Sequence, residues 1–143
     1  MRMAPFYLNL NQIEGGFMYR EIEMMLSNGT TISMPFKGNA ATPIRLKQVF
    51  HRDLWKLIGE LDSTGDSALF ENMDIVSELA YIMHCQGAGI DMTKINFDSY
   101  VQWLDTLDGG AIFENVTEII QLYIDTSRSS SKAKKANALP PGA

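Results

Sequence analysis

The chain has 143 residues, and its 17 acidic and 12 basic side chains give a net charge of −5. This length is enough for one domain with its own hydrophobic core, and a single cysteine excludes an intrachain disulfide. All acidic residues precede Ser127, so residues 1–126 carry a net charge of −9 and residues 127–143 carry +4. An acidic body of this kind is not expected to bind nucleic acid, and no stretch approaches the ~20 apolar residues of a membrane helix.

A β-hairpin is predicted near the start of the chain. Residues 19–26 alternate between apolar and polar types, and Asn28-Gly29 follows them. This dipeptide is a strong hairpin signal, because both central positions of a type I′ turn require positive φ. Residues 31–37 form the predicted second strand, with Pro35 near its end or on an edge.

A first helix is predicted to start at Thr42-Pro43, with threonine as the cap and proline at the first helical position. One apolar stripe at helical spacing continues through it to residue 61. The stripe consists of Leu46, Phe50, Leu54, Leu57 and Leu61.

Three further helices are predicted from apolar periodicity. Residues 69–85 are apolar over so wide an arc that they are expected to be the central helix. A short helix follows at 96–107, capped by Asn96, and the last helix covers 111–126. Residues 127–143 are polar and of low complexity, which is typical of a disordered tail. The predicted fold is mainly α, with a small N-terminal β-hairpin, a compact bundle of about four helices over residues 19–126, and a disordered basic C-terminal tail.

No catalytic, metal or cofactor site is predicted. His51 and His84 lie on different predicted helices, and no metal-ligand spacing is present. Cys85 follows His84 directly, but adjacent positions on a helix point about 100° apart, so the pair is not expected to act as a nucleophile and base. The sequence predicts a protein that is not an enzyme.

Basic residues cluster in "MPFKGNAATPIRLKQVFHRDL", residues 34–54. Two interpretations remain open. The cluster is either a solvated face that pairs with nearby carboxylates, or a polar contact surface for an acidic partner segment. Its cationic and titratable members are Lys37, Arg45, Lys47, His51 and Arg52.

The same segment carries a family resemblance. It is followed by "LFENMDIVSELAYIMHCQ" and by "FDSYVQWLDTLDGGAIFENVTEIIQLY". This order resembles the tail assembly chaperones of long-tailed bacteriophages that infect Gram-positive bacteria, over residues 19–126. The more specific parts are the P-F-K segment, the T-P-x-R-L helix start, and the W-L-D helix before a final I-I-x-L-Y helix.

The resemblance implies a non-enzymatic chaperone that coats the tape measure protein and is displaced by tail tube protein. It implies a location in the host cytoplasm, absence from the finished virion, and a longer form made by ribosomal frameshifting near the end of the gene. Self-association is left open, and neither a membrane nor nucleic acid is an expected partner of the folded domain. The candidate partner contacts are Phe36, Arg45, Phe50, Trp55 and Trp103. Trp55 lies off the main stripe, so it is interpreted either as an exposed anchor or as buried core.

Residues 1–18 are predicted to be an N-terminal extension. The codons for "EGGFM" can encode a ribosome-binding sequence just before Met18, so translation from Met18 is an alternative in which residues 1–17 are not made.

Two other functions remain open. One is a structural tail-completion or head–tail connector subunit, which would stay in purified particles. The other is a small helical adaptor that binds nucleic acid through its basic tail.

Overall fold

The computed structural model describes residues 19–65 and 67–138, with side chains described up to Asp125. It has the predicted mainly α architecture behind an N-terminal hairpin. The elements are β1 (Tyr19–Met25), β2 (Thr31–Lys37), α1 (Thr42–Phe50), α2 (Leu54–Thr64), α3 (Ser67–Glu71), α4 (Met73–Ala88), a 3₁₀ turn (Met92–Lys94), α5 (Phe97–Asp105) and α6 (Ala111–Ala138). The predicted N-terminal extension and the start at Met18 lie outside the described residues.

The two strands pair antiparallel, with Ile22 opposite Met34. The turn between them is not the predicted type I′ turn. Leu26 N–H donates to the Thr30 carbonyl at 2.7 Å, and Gly29, with φ of 89°, is the turn residue with positive φ. Five residues, 26–30, connect the strands, and the Leu26–Thr30 bond encloses three of them, a loop length that favours a glycine in the left-handed region. The hairpin buries one face of alternating side chains and exposes the other.

The predicted single helix over 42–61 is two helices. His51 has a left-handed φ of 60° and closes α1, and its N–H donates to the Lys47 carbonyl. The Asp53 carboxylate then caps α2 by accepting from the backbone N–H groups of Trp55 and Lys56, at 3.0 and 3.2 Å. The apolar stripe continues across this break, because residues on both sides of it pack on the same core. The stripe alone therefore predicted one helix.

The start of α1 also differs from the prediction. Ala41 is the N-cap residue, and Pro43 lies in the first turn. The Thr42 hydroxyl does not cap the helix; it accepts from the Asn39 N–H at 3.0 Å and from Gln86 Nε2 at 2.9 Å. Thr42 thereby joins the start of α1 to α4.

The predicted central helix over 69–85 is divided at Asn72 into α3 and α4. The Asn72 side chain donates to the Ala68 carbonyl and to Glu60 Oε1, and so links α3 to α2. As predicted, α4 is the centre of the core, where Val76, Leu79 and Met83 are fully buried. The hairpin, α1, α5 and α6 all pack on α4 or on each other around it.

The last two helices close the bundle. Asn96 caps α5 in a capping box with Ser99, as its position predicted. The inward face of α6 buries Val116 and Ile119. The backbone of α6 continues to Ala138, past the start of the predicted tail, through Ala- and Lys-rich sequence that contains no helix breaker. Side chains after Asp125 lie outside the described residues, so the predicted disorder of residues 127–143 stays a prediction.

Candidate functional site

Two of the five predicted partner contacts are buried. Phe36 of β2 is fully buried, with its ring centroid 5.7 Å from that of His84 on α4. Phe50 packs edge-on against Tyr100 at 5.0 Å. Both aromatic rings are part of the core, so in this structure they offer little surface to a partner.

Two further candidates hold helices together. Trp103 of α5 stacks on His84 of α4, with ring centroids 5.4 Å apart and an interplanar angle of 16°. Its indole Nε1 is buried and has no hydrogen-bond acceptor among the described residues. The Arg45 guanidinium donates to Gln86 Oε1 at 2.8 Å, which ties α1 to α4.

Within the basic cluster, Arg52 is paired with two carboxylates of the chain. Arg52 Nε donates to Glu78 Oε1 at 2.9 Å, and Nη2 donates to Asp74 Oδ2 at 2.7 Å. Burial raises the pKa of Glu78, although the Arg52 charge acts in the opposite direction. For Arg52, these ion pairs favour the interpretation in which the cluster pairs with nearby carboxylates, whereas the partner of Arg45 is the neutral Gln86.

The adjacent His84 and Cys85 do not form a reactive pair. Burial raises the pKa of the Cys85 thiol, which keeps it protonated. His84 turns away and places Nδ1 3.0 Å from the Pro35 carbonyl oxygen. Among the described residues, no group of three His, Cys, Asp or Glu side chains could hold a metal ion. None of the described helices is long and apolar enough to cross a membrane.

Trp55 is the predicted contact that lies at the surface. Its side chain is 58% exposed, and its ring centroid is 6.5 Å from that of Tyr123 on α6. It lies in the first turn of α2, which the Asp53 cap starts. The ring therefore covers the seam between two helices while most of its surface remains free.

A groove follows this seam. It has a volume of about 220 Å³ and runs between α2 and α3 on one side and α6 on the other. We call it the α2–α6 groove, and it is lined by Leu61, Asp62, Leu69, Thr117, Ile120, Gln121 and Ile124. Aliphatic side chains form its base, where Leu69 and Ile120 are buried, so polar side chains contribute more of the surface that the groove exposes.

A second exposed aromatic contact continues the groove. Phe70 of α3 and Phe113 of α6 have ring centroids 5.5 Å apart, yet they are 54% and 57% exposed. Phe113 and Thr117 are one helical turn apart and so lie on the same side of α6. The Phe70–Phe113 pair thus lies beside one end of the groove, and Trp55 lies beside the other.

Acidic side chains run beside the groove along α6. Glu114, Glu118 and Asp125 are exposed and lie at helical spacing; Glu118 and Asp125 each follow a groove-lining residue, and Glu114 follows Phe113. Asp125 accepts from Gln121 Nε2 at 2.6 Å, and Glu118 lies 3.8 Å from Arg20 of β1. None of the described residues that line the groove is basic. We call these three residues the acidic stripe.

Phe70, Phe113 and the acidic stripe were not predicted from the sequence. The sequence does indicate that Phe113 is exposed, because this residue falls outside the set of apolar residues predicted to face inward on the last helix. It gives no such indication for Phe70, since Phe70 lies within a segment that is apolar almost throughout. Exposed aromatic side chains beside a groove with a charged edge are typical of a surface that binds another polypeptide.

Comparison with known proteins finds no matching family model, no similar curated protein and no similar solved structure.

Proposed function

We propose that this chain is a phage tail assembly chaperone that binds the tape measure protein and keeps it soluble until tail tube protein replaces it. The observation that carries the proposal is the α2–α6 groove, with Trp55, Phe70 and Phe113 each more than half exposed around it. Exposed apolar surface of this kind on a small domain is typical of a protein-binding site. The class of partner comes from the family resemblance of residues 19–126.

The geometry supports a helical partner. Helix-binding proteins commonly place an amphipathic helix in an apolar groove between their own helices. A tape measure protein, long and helical as the resemblance implies, exposes apolar stripes until the tail tube surrounds it. A chaperone that covers such a stripe prevents its aggregation without forming a covalent bond.

The non-enzymatic part of the proposal is supported by the state of the reactive groups. Cys85 is fully buried, and burial raises the pKa of its thiol. Arg52, Glu78 and Asp74 are engaged with one another. These four residues thus have structural roles, whereas the groove and the aromatic side chains beside it offer contact surface.

The test is co-expression with the tape measure protein from the same gene neighbourhood. We expect this chain to keep the tape measure protein soluble, to copurify with it, and to be absent from purified virions by mass spectrometry. The longer frameshifted form is expected as a second species of the same protein in infected host cells.

Two other outcomes would overturn the proposal. Stoichiometric amounts of the chain in purified particles would favour a structural tail subunit. Salt-sensitive DNA binding that is lost on deleting residues 127–143 would favour a small nucleic-acid-binding adaptor.

A further inference from the structure

We infer that the α2–α6 groove binds an amphipathic helix of about three turns whose large apolar side chains face the groove and whose Lys or Arg side chains follow the acidic stripe. The identity of that helix as a tape measure segment rests on the proposed function. The apolar and basic character expected of the helix does not rest on the proposed function, because it follows from the residues in and beside the groove.

The length of the helix follows from the exposed aromatic side chains. On α6 the exposed Phe113, beyond the groove, and the groove-lining Ile124 are eleven positions apart, which is about 16 Å at 1.5 Å per residue. A bound helix of three turns has the same length. Its apolar side chains at every third or fourth position would lie over the aromatic pair, the aliphatic base and Trp55.

The charge of the helix follows from the acidic stripe. Glu114, Glu118 and Asp125 lie along one edge of the groove, and Asp62 lies in its lining. A basic flank on the partner is attracted to this edge, whereas an acidic flank is repelled. Because these carboxylates are exposed, they contribute to partner selection and salt dependence more than to affinity.

The basic C-terminal tail of a second copy has the complementary charge but few large apolar side chains. Among residues 127–143, Leu139 is the one large aliphatic residue, and the other apolar residues are alanine, proline and glycine. Such a segment cannot fill a groove bordered by three large aromatic side chains. Charge and apolar content together therefore point to a different polypeptide.

The test uses two synthetic peptides of about 18 residues with the same apolar positions, one with Lys and one with Glu along its flank. Binding of each fluorescein-labelled peptide to the full chain is measured by fluorescence anisotropy at low and at high salt. We expect the Lys-flanked peptide to bind at least about threefold more tightly than the Glu-flanked peptide, with a preference that declines as salt increases.

Matched variants locate the binding surface. Phe113→Ser should weaken binding about tenfold or more, as expected for an aromatic anchor, whereas Phe97→Ser should not. Phe97 is the matched control because it is 59% exposed and lies on α5, away from the groove. Glu114→Lys should abolish the preference for the Lys-flanked peptide, and Asp98→Lys, also in the first turn of a helix, should preserve it.

Each outcome decides the inference. Equal binding of the two peptides, failure of both to bind, or equal losses in Phe113→Ser and Phe97→Ser would overturn it. Sedimentation of the wild type as a dimer and of Phe113→Ser as a monomer would show that a second copy covers the groove, which also overturns it. If Phe113→Ser does not fold, the comparison of Glu114→Lys with Asp98→Lys decides.

The same variants separate this inference from the proposed function. If the wild type binds the Lys-flanked peptide in the groove but not the tape measure protein, the proposed function fails and the inference stands. If the tape measure protein copurifies equally with wild type and Phe113→Ser, the proposed function stands and the groove is not its site.

Discussion

The imidazole Nδ1 of His84 lies 3.0 Å from the carbonyl oxygen of Pro35, across the contact between α4 and β2. A carbonyl oxygen only accepts, so the neutral ring carries its proton on Nδ1 and donates it to Pro35. The ring face stacks on Trp103. One side chain thus connects the hairpin, the central helix and α5.

This arrangement predicts a pH dependence of stability. Burial lowers the pKa of His84 below its ordinary value of 6.5, so the unfolded chain binds this proton more readily than the folded chain. The free energy of unfolding therefore has its full His84 contribution above pH 6.5 and decreases as the pH falls from 6.5 through the lowered folded-state pKa. As the pH is lowered from about 7.5 to about 5, we expect the free energy of unfolding to decrease less in His84→Gln than in the wild type.

Urea denaturation followed by circular dichroism measures this difference. Burial raises the pKa of Glu78, which gives an opposite pH dependence above 4.5 in both proteins, so comparison with the variant isolates His84. Identical pH dependence in the two proteins would show that His84 has no such role.

Arg52→Ala should reduce the free energy of unfolding by about 2 kcal/mol, because it leaves the buried Glu78 carboxylate without its partner. The loss is below that of a fully enclosed ion pair, since Arg52 is partly exposed. Asp74→Asn is the matched control; its carboxylate contacts the same guanidinium at the surface, and its loss should cost less than about 0.5 kcal/mol. Equal effects in the two variants would contradict the assignment of Glu78 as the buried partner.

Gly87→Ala should destabilise the chain by about 1–3 kcal/mol. A Cβ at this position would lie 2.9 Å from Phe36 N and 2.9 Å from Pro35 C, which are backbone atoms that cannot move alone. Gly59→Ala is the control, because its Cβ would meet nothing within 4 Å, and there alanine should stabilise α2 by about 0.5–1 kcal/mol. Thermal unfolding of the two variants should therefore shift in opposite directions.

His51→Gly should raise the free energy of unfolding by about 0.5–1 kcal/mol, because glycine adopts the left-handed conformation at less cost. His51→Val should lower it, since a β-branched side chain is disfavoured at positive φ. The comparison of their urea midpoints tests whether α1 ends at residue 51. Similar midpoints would indicate that α1 and α2 form one continuous helix in solution.

The sequence alone determined the character of most elements. Alternation identified the strands of the hairpin, and the wide apolar arc identified α4 as the central helix. Asn96 marked the start of α5, because a short polar side chain at that place accepts the free N–H of the first turn. These features depend on local periodicity and local hydrogen bonds, which a sequence displays directly.

The tertiary structure alone decided where helices break and which aromatic side chains remain exposed. Periodicity continues across His51 and Asn72, because the helices on both sides of each break pack on the same core. Whether an aromatic ring is buried depends on how neighbouring elements pack. Phe36 of β2 is buried against α4, whereas Phe113 of α6 is exposed beside α3. The α2–α6 groove forms because segments distant in sequence pack near each other and leave the surface between them open. No local sequence pattern specifies such long-range packing.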